Sequence, residues 1–378
     1  MDMPVITVPQ ADPGAAYRAH QPAIDAALSR ALSSGWYILG AECAAFEREF
    51  AEWAGLSRAV GCANGTDALM LILRGLGIGP GMSVATVSHT AVATVAAIEM
   101  VGATPLLLDI DPDTFTMDPD ELAAVLEDPP PGLPPIRAVI PVHLYGQGCD
   151  MARIMAACRA AGVHVIEDCA QAHGAMQAGR MLGTFGDAAA YSLYPTKNLA
   201  ALGDAGILAT DDEALAERIS AIRQYGWKHR YLSDSIGVNS RLDEIQAAVL
   251  RVRLPLLAAA NARRQSIAAA YDAALAGTAL AAPHRRAGDI HVFHQYVVRS
   301  PERDELAARL RAQGVATGIH YPVPVHQQEA YRGRTPTGPA GCAETEMASR
   351  EVLSLPIYPE LTDAQVETVC AALRVAAG

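Results

Sequence analysis

Phe46, Phe50 and Trp53 fall at i, i+4 and i+7, one stripe of a 3.6-residue period, and predict an amphipathic helix over 42–54. Asn64-Gly65-Thr66-Asp67 follows, then Leu69, Ile72 and Leu76 at helical spacing, so a loop feeds a helix N-terminus there. Beyond it, short apolar runs at 84–87, 105–108, 138–142, 163–166, 188–193 and 207–209 read as buried strands. Helical stretches near 91–101, 119–127, 150–161 and 212–224 separate several of them. That alternation predicts an α/β fold with a mainly parallel sheet and helices on both faces. Consecutive prolines at 129–131 mark a surface loop.

The texture changes near residue 240. Residues 242–275 read as a long helix interrupted at Pro255, 292–298 and 316–320 as strands, and 304–312 as a helix. Thr362-Asp363 signals the start of a last helix, with Val366, Val369 and Leu373 on one face. The expected division is a large domain over 1–240 and a smaller C-terminal α+β domain over 241–378 that includes the long connecting helix. The hydrophobic fraction of 51% in 378 residues is enough for a sizeable core, and aromatics at 5% favour helices on a buried sheet over a β-sandwich.

A net charge of −12 without a Lys/Arg-rich run argues against nucleic acid as a partner. An anionic small ligand would need local cations or backbone N–H groups. Seven cysteines without a C-x-x-C suggest neither a disulfide framework nor a zinc ribbon. No apolar run reaches 18 residues and no basic n-region precedes one, so no membrane association and a cytoplasmic setting are expected.

Chemistry gathers at three places. The run at 163–166 leads into Glu167 and Asp168, and ligands bind at the carboxyl ends of strands in open α/β sheets. A carboxylate there can pair with a protonated ring nitrogen; a solvated loop acid fits the pattern equally well. Twenty-nine residues on (197 − 168), Lys197 follows the turn Tyr194-Pro195-Thr196 after another strand, where an amine can form a Schiff base and Ser192 can donate to a phosphate. A plain surface lysine is the alternative. Around Gly65 the backbone can approach an anion at a helix N-terminus, or Thr66 or Asp67 simply caps the helix.

The runs 64–69, 167–174, 192–206 and 239–246, above all YSLYPTKNLAALGDAG from Tyr191 to Gly206, resemble the DegT/DnrJ/EryC1/StrS family of sugar aminotransferases over essentially the whole chain. The resemblance implies the fold of pyridoxal-phosphate transferases of fold type I, similar to aspartate aminotransferase, and a homodimer with composite active sites. It implies pyridoxal 5'-phosphate held by Lys197 as a Schiff base, with Asp168 on the ring nitrogen and Gln171 near the ring oxygen. It also implies a phosphate cradle of Gly65, Thr66 and Ser192, completed by Asn239 from the neighbouring subunit.

The sequence departs from the family where an aromatic commonly stacks on the cofactor. Ala91 stands there, and His89 is the nearest substitute. Ala200 and Ala205 stand where glycines are common. The family's acceptors are nucleotide-linked keto-sugars, and its usual amino-acid donor is L-glutamate. Candidates to meet the sugar's diphosphate are Lys228, His229, Arg230, Arg241, His320, Tyr321 and His326. The Pro-Thr-Lys-Asn-Leu form resembles members that aminate 3-keto deoxyhexoses. Alternatives are a sugar dehydratase, in whose relatives a histidine replaces the lysine, another fold type I reaction such as a lyase or desulfurase, and a non-catalytic cofactor-binding regulator.

Overall fold

The computed structural model describes residues 5–376. Helices α1 (Pro13–Ala19), α2 (Gln21–Ser33) and α3 (Ala41–Ala54) precede strand β1 (Arg58–Cys62) and helix α4 (Gly65–Gly75). Then come β2 (Ser83–Val87), α5 (Val92–Met100), β3 (Thr104–Leu108), α6 (Pro119–Glu127), β4 (Ile136–Val139), α7 (Met151–Ala161), β5 (His164–Asp168), β6 (Ala188–Ser192), β7 (Gly206–Thr210) and α8 (Glu213–Ile222). These seven strands form one sheet in the order β1-β7-β6-β5-β4-β2-β3. The pairs from β6 through β3 are parallel, and β7 runs antiparallel to both its neighbours.

Side-chain alternation along each strand assigns two apolar layers. Ala85, Val139, Val165, Tyr191 and Ile207 face a core shared with α3, α6 and α7. Val84, Ala138, Ile166, Ala190 and Leu208 face the opposite core with α4, α5 and α8. Helices therefore cover both faces, as a buried parallel sheet requires. Among the described residues, no helix is long and apolar enough to cross a membrane. All seven cysteines are buried free thiols.

Helix starts follow local chemistry. Asp118, Asp150 and Asp212 cap α6, α7 and α8 with their carboxylates, and Pro119 opens α6 where its missing N–H costs nothing. The cap of α4 is Asn64, whose Oδ1 accepts from Asp67 N at 2.8 Å. Thr66 and Asp67, the capping candidates read from sequence, lie inside the first turn.

The long C-terminal helix divides at Pro255 as expected, into α9 (Glu244–Arg253) and α10 (Leu257–Leu275) joined by a 3₁₀ turn. Then come β8 (Tyr296–Arg299), α11 (Arg303–Ala312), α12 (Ala343–Glu351), β9 (Val352–Leu355) and α13 (Asp363–Ala376). β8 pairs with β9. The strand expected at 316–320 does not form: Gly318 alone exchanges hydrogen bonds with Ser354, because β9 already has β8 as its ladder partner. The packing also does not part at residue 240. Leu242, Ala247 and Leu250 belong to the core beneath the sheet, while the second core takes Ile267 and Tyr271 from α10 and recruits Val8 from the N-terminal segment.

Candidate active site

The carboxyl ends of β5 and β6 and the loop after β1 open on the same side of the sheet, where an open α/β fold binds ligands. Asp168 closes β5. It is buried, with Oδ2 accepting from Thr94 Oγ1 at 2.9 Å and Oδ1 from Ala170 N at 3.1 Å. Glu167, one residue earlier, points to the opposite face. Its carboxylate accepts from Gly183, Phe185 and Gly186 N–H groups at 2.7–2.8 Å and from His143 Nε2 at 3.0 Å, so it holds a turn together.

Lys197 sits in the turn after β6, fixed by its N–H donating to Tyr194 O. Burial lowers its amine from the ordinary lysine range to about 8, opposed by the attraction of Asp168. Burial likewise raises the Asp168 carboxyl, against Ala170 N, Thr94 and Lys197. Desolvation outweighs mutual attraction at both groups, so each stands closer to its neutral form than on a surface. A strongly perturbed amine and carboxyl at a strand end are the marks of a functional site.

Gly65 is the first residue of α4 and lies against Ser192: a Cβ there would stand 2.7 Å from Ser192 Cβ and 3.0 Å from Ser192 Cα. With Asp67 N taken by Asn64, the N–H groups of Gly65 and Thr66 begin the helix without an intrahelical acceptor. An anion fits this turn electrostatically. An amine, a buried carboxylate and a helix N-terminus with a hydroxyl suit a ligand that carries an aldehyde, a basic ring nitrogen and a phosphate.

The DegT/DnrJ/EryC1/StrS aminotransferase family model matches residues 19–374. The chain belongs to this family. It is 44% identical over 369 residues to the dTDP-3-amino-3,4,6-trideoxy-alpha-D-glucose transaminase of Streptomyces venezuelae, covering 97% of this chain and 95% of that one. It is 40% identical over 373 residues to a pleiotropic regulatory protein of Geobacillus stearothermophilus, covering 96% and 97%. The crystal structure of S. venezuelae DesV in complex with a ketimine intermediate superposes with a TM-score of 0.93 at 44% identity, over 98% of each chain.

In this DegT/DnrJ/EryC1/StrS member the remaining site residues fall into three places. Gln171, Tyr321 and His320 join the Lys197 crevice. Gln171 Oε1 accepts from Tyr145 N at 2.7 Å and its Nε2 donates to Tyr321 OH at 3.2 Å. His320 bonds Ser354 Oγ through Nδ1 at 2.8 Å, and burial with Lys197 nearby lowers it to about 4. At neutral pH it is a hydrogen-bonding group and not a cation. His89 lies behind them, its Nε2 bonded to Tyr145 OH at 2.9 Å and its ring against Phe115. Burial lowers it to about 4. Since Tyr145 OH donates to His320 O, His89 Nε2 carries the hydrogen. Ala91 is the N-cap of α5 and brings no ring.

Lys228, His229, Arg230 and Arg241 line a separate open groove with Trp36, Tyr37 and Trp227, away from Lys197 within one chain. Lys228 pairs with Asp234 at 3.5 Å, and Arg230 lies 5.0 Å over the Tyr231 ring. Asn239 is exposed, while Ser240 is buried and donates to Asp67 Oδ2 at 2.6 Å. The Asn239 loop is thus pinned to the α4 turn of its own chain. His326 joins neither group: its ring nitrogens bond Ser88 Oγ at 2.7 Å and Glu346 Oε1 at 3.2 Å.

Sequence reasoning missed Thr94, Tyr145, Asn198 and His294. Tyr145 holds a left-handed backbone (φ 61), which costs a non-glycine residue on the order of 1–3 kcal/mol and persists because Gln171, His89 and His320 fix it. Asn198 accepts from His294 Nδ1 at 3.2 Å and donates to Asn261 Oδ1 and Val292 O, anchoring the residue next to Lys197. Only Asn198, adjacent to the lysine, carried a local signal.

Proposed function

We propose that this chain uses pyridoxal 5'-phosphate to move an amino group from an amino-acid donor, L-glutamate, to a nucleotide-linked 3-keto deoxyhexose. The observation that carries the reading is the convergence of Lys197, Asp168 and the Gly65–Thr66 turn with Ser192 at one edge of the sheet. The S. venezuelae relative is named for a dTDP-linked 3-amino sugar, which supports amination at C3. Lys197 in place of a histidine favours transamination over sugar dehydration. The name of the G. stearothermophilus relative favours a regulator instead, but the complete set of amine, carboxylate and phosphate turn favours an enzyme.

When bound, the cofactor supplies an aldehyde that takes up amino groups and a ring that withdraws electrons from the carbon being deprotonated. Gly65 and Thr66 N–H groups and the Ser192 hydroxyl hold its phosphate, and Lys197 holds its aldehyde carbon until the donor's amine displaces it. The carboxylate of Asp168 keeps the ring nitrogen protonated, and Gln171 positions the ring oxygen. Freed Lys197 Nζ then takes the proton from the donor's α-carbon and returns it one position along. With the amine at about 8, roughly a quarter is unprotonated at pH 7.5, against about 0.1% for an ordinary lysine. Burial thus provides a base at working pH.

The reading includes a homodimer in a cytoplasmic setting. Exposed Trp36, Tyr37, Tyr231 and Ile236, the last 90% exposed, form apolar surface that a second copy would cover. Lys228, Arg230, Arg241 and Asn239 would then serve the partner's crevice, since they do not reach their own.

The test is to incubate the protein with L-glutamate and a panel of nucleotide-linked 3-keto and 4-keto sugars and identify products by mass spectrometry. Amination of a 3-keto sugar is expected, and borohydride should fix the cofactor's mass on the peptide containing Lys197. No aminated sugar, or mass on another lysine, refutes the reading.

A further inference from the structure

α9 ends on Arg253, and Arg264 lies in α10 beyond the 3₁₀ turn. Both side chains are at least nine-tenths buried, at 9% and 4% exposure. Arg253 Nη1 donates to Ala200 O at 2.7 Å, and its Nε and Nη2 have no partner. Arg264 Nη1 donates to Phe293 O at 3.1 Å and Ile357 O at 2.7 Å, and its Nε has none. Neither forms an ion pair with a described carboxylate. Arg223, equally buried, is treated differently: Glu47 meets it at 2.5 Å. A buried charge without a counter-ion is expensive, so two such charges side by side imply that the counter-ion is a ligand.

Both arginines border a cavity of about 140 Å³ whose wall also includes Lys197, His294, His320 and Glu360. Burial holds both histidines neutral, and Asp12, also in the wall, is engaged by Arg18 at 2.6 Å. The cavity is therefore cationic, with Glu360 as its one acid not engaged in an ion pair. Pockets for drug-sized ligands run from about 300 Å³ upward, so the space suits an amino acid and not a nucleotide sugar.

We propose that Arg253 and Arg264 form an oxyanion subsite beside Lys197 that takes a carboxylate of the amino donor. The proposal rests on the aminotransferase reading and adds the place where the donor is recognised. One nitrogen of each guanidinium is spent on main-chain carbonyls, which fixes the orientation of the rest before the donor arrives. A guanidinium meets a carboxylate with paired, charge-assisted hydrogen bonds. A phosphate would satisfy the same groups, so the test separates the two sources.

Holoenzyme is titrated with glutarate, a dicarboxylate without an amine, and separately with pyrophosphate, by calorimetry. Saturable glutarate binding is expected, weakened at least tenfold in Arg253→Gln and Arg264→Gln and partly kept in the two Arg→Lys variants. Because Arg264 also anchors two carbonyls, Arg253→Gln carries the test if Arg264→Gln does not fold, with circular dichroism and melting temperature as the check. In the folded variants KM for L-glutamate should rise about tenfold, with a smaller change for the keto-sugar. Absence of glutarate binding to the wild type, unchanged affinity in folded Arg253→Gln, or loss of pyrophosphate binding alone overturns the proposal. Failure of the aminotransferase reading appears separately, as no amino transfer by the wild-type chain whatever glutarate does.

Discussion

Replacing Gly65 with alanine sets two effects against each other. In a helix interior the change stabilises by up to about 1 kcal/mol. Here the new Cβ would stand 2.7 Å from Ser192 Cβ and 3.0 Å from Ser192 Cα. That is roughly 1 Å inside the optimal carbon–carbon separation of about 3.5–4.0 Å. The Cα belongs to the main chain of β6 and cannot rotate away, so the first turn of α4 must move. Overpacking of this kind costs about 1–3 kcal/mol, so the apo chain should lose about 0–2 kcal/mol, read from its urea midpoint. The larger effect falls on the anion site. A shift of roughly 1 Å breaks a hydrogen bond whose donor–acceptor distance must stay within about 2.7–3.2 Å. One charge-assisted bond contributes about 1.5–3 kcal/mol, so affinity for pyridoxal 5'-phosphate should fall about 10- to 150-fold. The assay is spectrophotometric titration of apo protein, run in parallel with pyridoxal, which lacks the phosphate and should lose little. Adding Ser192→Gly removes the clashing Cβ and should restore the urea midpoint without restoring affinity, since the hydroxyl is gone as well. If Gly65→Ala binds the phosphorylated cofactor like wild type, or loses pyridoxal equally, the cradle is wrongly assigned.

The adjacent carboxylates should separate cleanly under mutation. Asp168→Asn should lose most transamination, yet at pH 7.5 its apo form should melt no lower than wild type. Burial raises the folded Asp168 carboxyl above its unfolded value, so its charged form opposes folding at neutral pH, and the variant's advantage should shrink as acid protonates the wild-type group. Near-normal turnover, or a clearly lower melting temperature, counts against this. Glu167→Gln should instead cost about 2–5 kcal/mol in urea unfolding, because an amide can accept from only part of the four donors on that carboxylate and leaves buried N–H groups unpaired. A loss under about 0.5 kcal/mol contradicts the role of Glu167 in the 183–186 turn. Mixing inactive Lys197→Ala chains with an impaired Asn239→Ala variant should partly restore activity on subunit exchange, since one site of a heterodimer then carries both lesions and the other none. No recovery places Asn239 in its own chain's site, where the Ser240–Asp67 hydrogen bond already draws its loop.

What was legible in the sequence and what was not follows from the range of each signal. Strands buried on both faces read as apolar runs, and β2 to β7 lie within a residue or two of the runs that announced them. β1, Arg-Ala-Val-Gly-Cys, was missed because its glycine and flanking arginine break such a run. α2 was missed because it buries Ile24, Ala27 and Ala31, a stripe too small in side chain to stand out. Lys197, Asp168, Gly65 and Ser192 were legible as local motifs. Thr94 reaches Asp168 across 74 residues and Tyr145 reaches the His320 carbonyl across 175, distances over which no spacing carries information. The choice between Glu167 and Asp168 shows where the boundary lies. Both end the same strand, and nothing in their residue types separates a ring-nitrogen partner from a structural acid. Strand pleat decides it. Ile166 faces the core of α4 and α5, so Asp168, two residues on, shares that face and meets Thr94 of α5. Val165 faces the other core, so Glu167 follows it to His143 and the 183–186 turn. A one-residue slip of β5 would exchange the two roles. The parallel register that pairs Asp168 with Ala190, and so sets it beside the strand that delivers Ser192 and Lys197, is therefore as much a part of the active site as the carboxylate itself.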